Sequence, residues 1–558
     1  MNKKSVQTLQ PNNTAAFAVR EIVLEYEPLD KDTQAHVTVG MSDNGLQLGI
    51  RTQSPICLHT LRVECDYTTP DAAYVFANGF QSWTVTREYR PDEKMYAPTA
   101  LMRAILYGKL GAKLGLSGAG DYKICKFKPR KGFFYGFSYG YTRVDNRVDL
   151  VGSLSERNGY TIVQYDVPAR KLILSFDVEG MHVQQSEDAL WRVARFTGEY
   201  DKVFDAYFQA MGIEPQDVPR LRGYTTWYNY YQNISQSQIH RDLDALASVS
   251  YKTDIFQIDD GYQTAIGDWL SPRTDTFPDG MKALAERIHS KGMLAGLWLA
   301  PFACTAKSRV FREHPEWLVR DNGKLYYAGA NWGGFYALDT ELPEVREHIR
   351  HFFDVILHDW SYDLVKLDFL YAVATVPRNG KPRGRIMCEA MDFLRECCAG
   401  KRILGCGVPL MPAFGKVDYC RIGADMSLNW SVNRWDSREG VSTPHTLCDT
   451  IYRRHLDRRA FGNDPDVFLL RDNNIRIPLE KRARIAQINS MFGRVLFISD
   501  NVADYSDEQM RLLMQTFESE PCGDVSVRQI APYKLSIDYT QGGKRQNLSI
   551  NLRNGNLT

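Results

Sequence analysis

Residues 364–369 read Leu-Val-Lys-Leu-Asp-Phe, a short apolar run that ends at a carboxylate. Residues 256–262, Phe-Gln-Ile-Asp-Asp-Gly-Tyr, have the same form. Between residues 221 and 500, further apolar runs rich in β-forming residues alternate with stretches of helical periodicity. Regular alternation of β and α segments predicts a parallel sheet whose strands are connected by helices.

Eight of these runs are assigned as strands, and eight strands with eight connections close best into a (β/α)8 barrel, a fold of roughly 250 residues. An open, doubly wound sheet is the alternative. No GxGxxG motif follows the first run, so the usual nucleotide-binding signature of that alternative is missing. The predicted strands are 224–228, 254–258, 294–299, 364–367, 403–406, 419–422, 467–470 and 495–499.

The chain on either side of this region has a different pattern. Residues 20–181 contain short alternating runs with turn signals, which predict a β-sandwich. Residues 507–517 have helical periodicity, and residues 525–552 alternate again around a Gly-Gly turn. We therefore predict a multidomain chain with an N-terminal β-sandwich (1–200), a central (β/α)8 TIM barrel (201–505) and a small C-terminal antiparallel β domain (506–558).

The overall composition excludes several classes of partner. With 68 Lys and Arg against 67 Asp and Glu, the chain has no net field to attract nucleic acid or an anionic membrane. Its 11 cysteines are odd in number and lack paired CxxC spacing, which argues against a disulfide framework and a structural zinc site. No HExxH or similar spacing groups the histidines, so we predict no metal, and we predict no cofactor. The segment 1–13 lacks the apolar run of a secretory signal, and no stretch is apolar enough to span a bilayer, so a cytoplasmic location is predicted.

Carboxylates stand where several predicted strands end. These are Asp259 and Asp260 after strand two, Asp368 after strand four, Asp425 after strand six and Asp500 after strand eight. In a (β/α)8 barrel, the carboxyl ends of the strands form the active-site face.

Two of these carboxylates follow closely on a cation. Lys366 lies two residues before Asp368, and Arg421 lies four residues before Asp425, so we expect each of these acids to have a cation nearby. Two carboxylates at one cavity are what glycoside hydrolysis requires, whereas the P-loop typical of phosphoryl transfer is absent from the sequence.

Aromatic residues accompany the acids. Trp227 and Tyr228 belong to predicted strand one, and Trp298 belongs to strand three. Such rings pack against the apolar face of a pyranose while acids and amides bind its hydroxyl groups. The pattern therefore indicates a sugar site.

These segments resemble glycoside hydrolase family 36, which consists mainly of α-galactosidases. The resemblance extends over nearly the whole chain, with the motifs in the family's order. The segments that carry it are 258–262 (IDDGY), 296–301 (GLWLAP), 365–369 (VKLDF), 405–407 (GCG), 421–425 (RIGAD), 78–83 (NGFQSW) and 463–466 (NDPD).

The resemblance implies a retaining hydrolase that acts on small α-galactosides of the melibiose or raffinose type. Asp368 would be the nucleophile and Asp425 the general acid/base, with Asp259 and Asp260 holding the galactose hydroxyls at C4 and C6. The further substrate-binding residues that it implies are Lys366, Arg421, Trp298 and Cys406, with Trp227 and Trp83 near the edge of the site.

Several of these residues also have purely structural interpretations. Adjacent residues of a strand point to opposite faces, so only one of Asp259 and Asp260 faces the pocket unless the strand has already ended. Cys406 fits a buried strand position as a small apolar residue, and Trp83 fits the core of a sandwich.

Three other activities remain open from the sequence alone. An α-N-acetylgalactosaminidase of the same fold would need extra room near Cys406 and Gly407. A galactosyl transferase similar to raffinose synthases would pass the same intermediate to a sugar hydroxyl. A sugar-binding protein without turnover is the alternative outside enzymes. The oligomeric state is not determined by the sequence.

Overall fold

The computed structural model describes residues 4–8, 16–30, 33–42, 44–95, 98–106, 110–111, 114, 118–249, 251–430 and 438–558. Within these ranges, an N-terminal pair of antiparallel sheets is followed by an eight-stranded parallel barrel and then by a C-terminal antiparallel sheet. The multidomain (β/α)8 fold predicted from the sequence is confirmed. The boundaries at residues 200/201 and 505/506 remain predictions.

Two seven-stranded antiparallel sheets pack face to face at the N-terminus. Trp191 of one sheet stacks on Phe176 of the other at 4.8 Å between ring centroids, and its indole N–H donates to Thr161 at 2.9 Å. The strands of the first sheet are Lys4–Thr8, Ala18–Pro28, Ile56–Asp66, Phe133–Phe137, Tyr160–Asp166, Lys171–Asp177 and Met181–Val183, and those of the second are Ala35–Met41, Gly45–Thr52, Tyr74–Ala77, Arg87–Tyr89, Tyr139–Val144, Arg147–Ser153 and Glu187–Glu199.

The eight barrel strands are parallel and follow one another around the sheet in chain order. The first and last of them pair directly, and the barrel closes between strands seven and eight through the N–H of Arg494, which donates to the carbonyl of Asn463 at 2.8 Å. The strands are Leu221–Thr225, Ile255–Ile258, Leu294–Leu299, Leu364–Leu367, Arg402–Gly405, Tyr419–Arg421, Gly462–Asp464 and Val495–Ile498.

Strand seven was predicted wrongly at 467–470, because the barrel strand is Gly462–Asp464. Pro465 has no N–H to donate to a ladder, and Asp466 has a left-handed backbone with φ of 74°. The apolar run after them leaves the ladder, although it stays buried and Phe468 donates its N–H to the carbonyl of Phe497 at 3.0 Å. Strand one was placed three residues late, since Trp227–Tyr230 is a helical turn.

The helices follow the predicted periodicity. Pro343–Asp354 begins with a proline in its first turn and buries Val345, Ile349 and Phe352 along one face. Asp507–Glu518 begins at a capping box made by Ser506 and Gln509. The other α-helices are Ala100–Leu106, Tyr200–Ala210, Gln236–Ser248, Gly280–Ser290, Arg309–Glu313, Arg383–Cys397, Leu410–Ala413, Thr443–Tyr452 and Leu479–Phe492, and a π-helical turn, Val355–Asp359, extends Pro343–Asp354.

A long insertion follows barrel strand three. It contains a small antiparallel sheet of Ala303–Thr305, Tyr327–Gly329 and Phe335–Ala337, a two-stranded ribbon of Arg320–Asp321 and Lys324–Leu325, and a turn at Asn331–Gly333. The C-terminal sheet pairs Gly523–Ala531, Lys534–Gln541, Lys544–Asn551 and Asn556–Leu557. Among the described residues, no helix is both long and apolar enough to cross a membrane.

A buried arginine joins the N-terminal sandwich to the barrel. The Arg453 guanidinium donates to the carbonyls of Gln81 and Ser82 in the sandwich at 3.1 and 2.8 Å, and to that of Ile422 after barrel strand six at 2.8 Å. Its side chain is fully buried; burial lowers the pKa of Arg453, and the nearby Asp449 opposes that shift. Together with the Ser82 N–H, which donates to the Val408 carbonyl at 3.0 Å, Arg453 holds loop 78–84 against the barrel.

Replacing Arg453 with methionine will lower the free energy of unfolding by about 3–5 kcal/mol, because the buried carbonyls of Gln81, Ser82 and Ile422 lose their hydrogen-bond donors. Urea denaturation measures the change. Arg454→Met is the matched control, since the Arg454 side chain is only half-buried and donates to a single carbonyl, that of Ile451. Equal losses of stability in the two variants would contradict this assignment.

A second stability prediction concerns pH. Burial lowers the pKa of His445 to about 4, so the unfolded chain takes up a proton below pH 6.5 that the folded chain does not. Stability is therefore lost as the pH falls from 6.5 towards 4, by up to about 1.4 kcal/mol per unit. His445→Gln removes this contribution, whereas the exposed His314→Gln retains it. Parallel slopes of stability against pH in wild type and His445→Gln would disprove the prediction.

Candidate active site

One cavity opens at the carboxyl ends of the barrel strands, with a volume of about 230 Å³. This is near the lower end of the range for small-molecule sites. Eight of the ten residues singled out from the sequence line it. The lining consists of Trp83, Ala119, Trp227, Asp259, Asp260, Trp298, Asn331, Trp332, Lys366, Asp368, Phe369, Asp425, Glu439 and Val441.

Asp259 and Asp260 both reach the cavity because barrel strand two ends at Ile258. The alternation of side chains therefore no longer applies to them. Asp260 accepts hydrogen bonds from Gln263 at 2.6 Å, from Gln232 at 2.7 Å and from the Trp332 indole at 2.9 Å. Burial raises the pKa of Asp260, and these three donors oppose that shift.

Lys366 forms an ion pair with Asp259, at 2.7 Å between Nζ and Oδ1. Lys366 also lies near enough to Asp368 for its charge to lower the pKa of that acid, as expected, but its direct ion pair is with the acid that follows strand two. Both side chains are more than nine-tenths buried. Burial alone would lower the pKa of Lys366, but the Asp259 carboxylate outweighs it and the pKa is raised.

Asp368 is held mainly by neutral donors. Its two carboxylate oxygens accept the backbone N–H of Phe369 at 2.8 Å and the Trp298 indole N–H at 3.1 Å. Burial raises the pKa of Asp368, while the charge of Lys366 and the Trp298 donor lower it. Desolvation therefore outweighs the cation that was expected to favour the ionised form of Asp368.

Arg421 connects the acids that follow strands six and seven. Its guanidinium lies 2.8 Å from Asp425, 2.8 Å from Asp466 and 3.4 Å from Asp464. Burial, opposed by Arg421, raises the pKa of Asp466 to about 6. The cation predicted beside Asp425 is therefore present, but it is shared among three carboxylates and lies behind the cavity wall.

Cys406 also lies behind the wall. Strand five ends at Gly405, and the Cys406 sulfur accepts the indole N–H of Trp83 at 3.3 Å. Trp83 is not a core residue of the sandwich, because its ring lies in the cavity and packs on Gly407. A Cβ placed on Gly407 would lie 2.9 Å from that ring, so Trp83 occupies the space beside Cys406 and Gly407.

Trp332 was not predicted as a site residue. It lies in the insertion after strand three, in the turn Asn331–Gly333. The centroid of its ring is 6.1 Å from that of Trp298, and its indole N–H donates to the Asp260 carboxylate. Its left-handed backbone, with φ of 57°, is rare for a tryptophan. The segment 331–334 carries no barrel periodicity, so no signal in the sequence pointed to it.

Glu439 is a further carboxylate that the sequence pattern did not identify. It accepts hydrogen bonds from Tyr122 at 2.9 Å and from Thr84 at 3.3 Å. Burial raises its pKa. Asp500, in contrast, does not line the cavity, because it forms an ion pair with Arg471 at 3.0 Å and accepts the Tyr505 hydroxyl.

Comparison with known proteins identifies relatives of the barrel region. A model of the melibiase family matches residues 223–393. A probable α-galactosidase C of Aspergillus flavus is 28% identical over 27% of this chain and 22% of its own length, and an α-galactosidase of Escherichia coli is 26% identical over 33% and 26%. The matched segments thus span about a quarter of these relatives.

Structural similarity extends over the whole chain. An α-galactosidase of Thermus thermophilus, solved with p-nitrophenyl α-D-galactopyranoside, has a TM-score of 0.70 and 27% identity over 97% of this chain and 98% of its own. An α-galactosidase of Lactobacillus brevis, at 10% identity and a TM-score of 0.63, shares the fold. With the acid-lined cavity, these matches make the chain similar to (β/α)8-barrel glycosidases. The resemblance seen in the sequence is confirmed, because the barrel region matches the melibiase family model and the fold is that of solved α-galactosidases of glycoside hydrolase family 36.

The Lys366–Asp259 pair gives a test of the buried electrostatics. Lys366→Met or Asp259→Asn alone will lower the free energy of unfolding by about 3–5 kcal/mol, because each change leaves a buried charge without the opposite charge that it pairs with. The double variant will lose much less than the sum of the two single changes. Urea denaturation of all four proteins gives the coupling, and additive losses would contradict the pairing.

Proposed function

We propose that the protein is a retaining α-galactosidase that removes terminal α-linked galactose from small galactosides. The observation that carries the proposal is the contrast between two acids in one cavity. Asp368 is 8% exposed and oriented by two neutral N–H donors, whereas the Asp425 side chain is 35% exposed and bound to Arg421. Retaining hydrolysis needs two carboxylates at one cavity, one placed for attack and one that exchanges its proton with the substrate and with water. The order of these roles, with Asp368 as nucleophile and Asp425 as general acid/base, rests on the likeness to the motifs of glycoside hydrolase family 36.

In the first step, a carboxylate oxygen of Asp368 attacks the anomeric carbon and the glycosidic C–O bond breaks. Asp425 gives its proton to the departing oxygen, and a covalent galactosyl ester remains on Asp368. In the second step, Asp425 takes a proton from water, whose oxygen attacks the anomeric carbon and releases Asp368. Two inversions at one carbon leave its configuration unchanged.

The walls of the cavity suit a galactose ring. We propose that Asp259, Asp260 and Lys366 bind its ring hydroxyls, because the side chains of all three reach the cavity. Trp298, Trp332, Trp227 and Trp83 supply apolar faces against which the carbons of the ring pack. Arg421 and Cys406 act from behind the wall, the former by holding Asp425 and the latter by holding Trp83.

We propose that the leaving-group sugar binds at the mouth of the cavity. Val441 is 50% exposed there, and Glu439 two residues earlier offers a carboxylate for the hydroxyls of a second sugar. The Thermus thermophilus enzyme was also solved with stachyose. By likeness, we propose melibiose and oligosaccharides of the raffinose type as substrates of this chain.

Trp83 favours galactose over N-acetylgalactosamine. Its ring fills the space at Gly407 where an acetamido group would need room.

We also propose a cytoplasmic location, since all 11 cysteines lie outside disulfides and a reducing compartment keeps them so.

Turnover of 4-nitrophenyl α-galactoside tests the proposal. Asp368→Asn will lower kcat by about 10³-fold or more, because the nucleophile is lost, and Asp425→Asn will lower it less on this activated substrate than on melibiose, because nitrophenolate needs little protonation. Initial rates on both substrates give the comparison. The exposed Asp321→Asn is the control.

The same assay separates the alternatives. Release from the α-N-acetylgalactosaminide at a comparable rate would overturn the sugar assignment, and sugar binding without release from either substrate would favour a binding protein. NMR of the first product formed must show the α-anomer. The β-anomer would exclude the covalent intermediate, and oligosaccharide products in place of free galactose in dilute aqueous solution would favour a transferase.

A further inference from the structure

Three ligand-type side chains converge on the first of the two N-terminal sheets, and none of them lines the cavity. The thiol of Cys57, the imidazole of His59 and the carboxylate of Glu27 have ligand atoms that all lie within 4.8 Å of one another. Cys57 and His59 belong to the strand Ile56–Asp66, and Glu27 belongs to its neighbour Ala18–Pro28. None of the three takes part in the proposed hydrolysis.

The strand register brings these groups together. Glu27 lies directly opposite Cys57, so the two side chains share a face of the sheet. A bulge follows at once: Tyr26 faces Leu58 and Glu25 faces Thr60, which leaves His59 with no opposite residue. Bulges re-aim side chains, and here the extra residue is the imidazole beside the Glu27–Cys57 pair.

His59 is already oriented as a metal ligand would be. Its Nδ1 lies 3.1 Å from the carboxylate of Glu179, the outer contact that fixes the tautomer of a coordinating histidine. Its Nε2 is buried and has no hydrogen-bond partner, and the side chain is 10% exposed. That nitrogen lies 3.7 Å from Glu27 Oε1, too far for a hydrogen bond.

The spacing suits a small divalent cation. Zinc bonds of roughly 2.0–2.3 Å at tetrahedral angles place neighbouring ligand atoms about 3.3–3.8 Å apart. Thiolate, carboxylate and neutral imidazole together carry two negative charges, which balance a divalent ion in a mostly buried place. His182 lies directly opposite Cys57 on the next strand, Met181–Val183, but its ring nitrogens are not among the ligand atoms that lie within 4.8 Å of one another.

We propose that Glu27, Cys57 and His59 form a zinc site that joins two strands of the N-terminal sheet. Thiolate and imidazole ligands select zinc over magnesium or calcium. Binding releases the thiol proton of Cys57 to solvent as the sulfur–zinc bond forms. Since the site stands on the sandwich, it stabilises that domain and takes no part in the chemistry at Asp368.

The test uses the full chain without an affinity tag, since a histidine tag would itself bind zinc. After dialysis against a chelator, titration with zinc chloride in a calorimeter should show about one tight equivalent per chain, and zinc should raise the Tm. Cobalt chloride should give the thiolate-to-cobalt charge-transfer band and the visible bands of a tetrahedral ion.

Variants assign the ligands. Glu27→Gln keeps the side-chain shape but removes the charge. This variant and His59→Ala should each lower zinc affinity at least tenfold and abolish the zinc-dependent rise in Tm. His314→Ala is the matched control, because His314 is an exposed histidine whose Nδ1 is also 3.1 Å from a glutamate. Wild-type affinity in Glu27→Gln and His59→Ala, or no cobalt charge-transfer band, overturns the proposal. Hydrolysis of 4-nitrophenyl α-galactoside is measured separately and does not decide it.

Discussion

The buried guanidinium of Arg453 is the contact on which the active-site geometry depends. It binds carbonyls of the sandwich loop 78–84 and of the barrel segment after strand six. Because the acceptors belong to both domains, this side chain bridges them, and the Ser82 N–H adds a hydrogen bond to the Val408 carbonyl at 3.0 Å. The same loop carries Trp83, whose ring packs against Gly407, and Thr84, whose hydroxyl donates to the Glu439 carboxylate. The cavity is thus completed by a domain that contributes no barrel strand.

Charge compensation explains how so many carboxylates are tolerated at one end of the barrel. Asp259 has Lys366, and the acids after strands six and seven share Arg421. Such pairs repay much of the cost of desolvation only when their geometry is good. Asp368 is the exception, because its two hydrogen-bond donors are neutral and Lys366 forms its direct ion pair with Asp259 instead. An oriented carboxylate that is not neutralised by a direct ion pair is suited to attack a carbon that is gaining positive charge.

The insertion after strand three shows a second way to complete a barrel site. Trp332 is held by an irregular turn with a left-handed backbone and donates its N–H to Asp260. Strained backbone of this kind persists only where its surroundings hold it, and it is concentrated at functional sites. The aromatic walls of the cavity therefore come from three sources: the barrel strands, the insertion and the sandwich.

Local patterns in the sequence were enough to predict the barrel class, seven of the eight strand positions to within about three residues, and the acids at the carboxyl ends of strands two, four and six. These predictions follow from periodicity and from the rule that parallel strands end at one face. The prediction failed at strand seven, because a buried apolar run at 467–470 has the same pattern whether or not it joins a ladder. The three-dimensional structure was needed to show that Lys366 pairs with Asp259, that Trp83 leaves the sandwich core, and that Trp332 and Glu439 reach the cavity. Each of these depends on contacts between segments far apart in the chain, which no local pattern records.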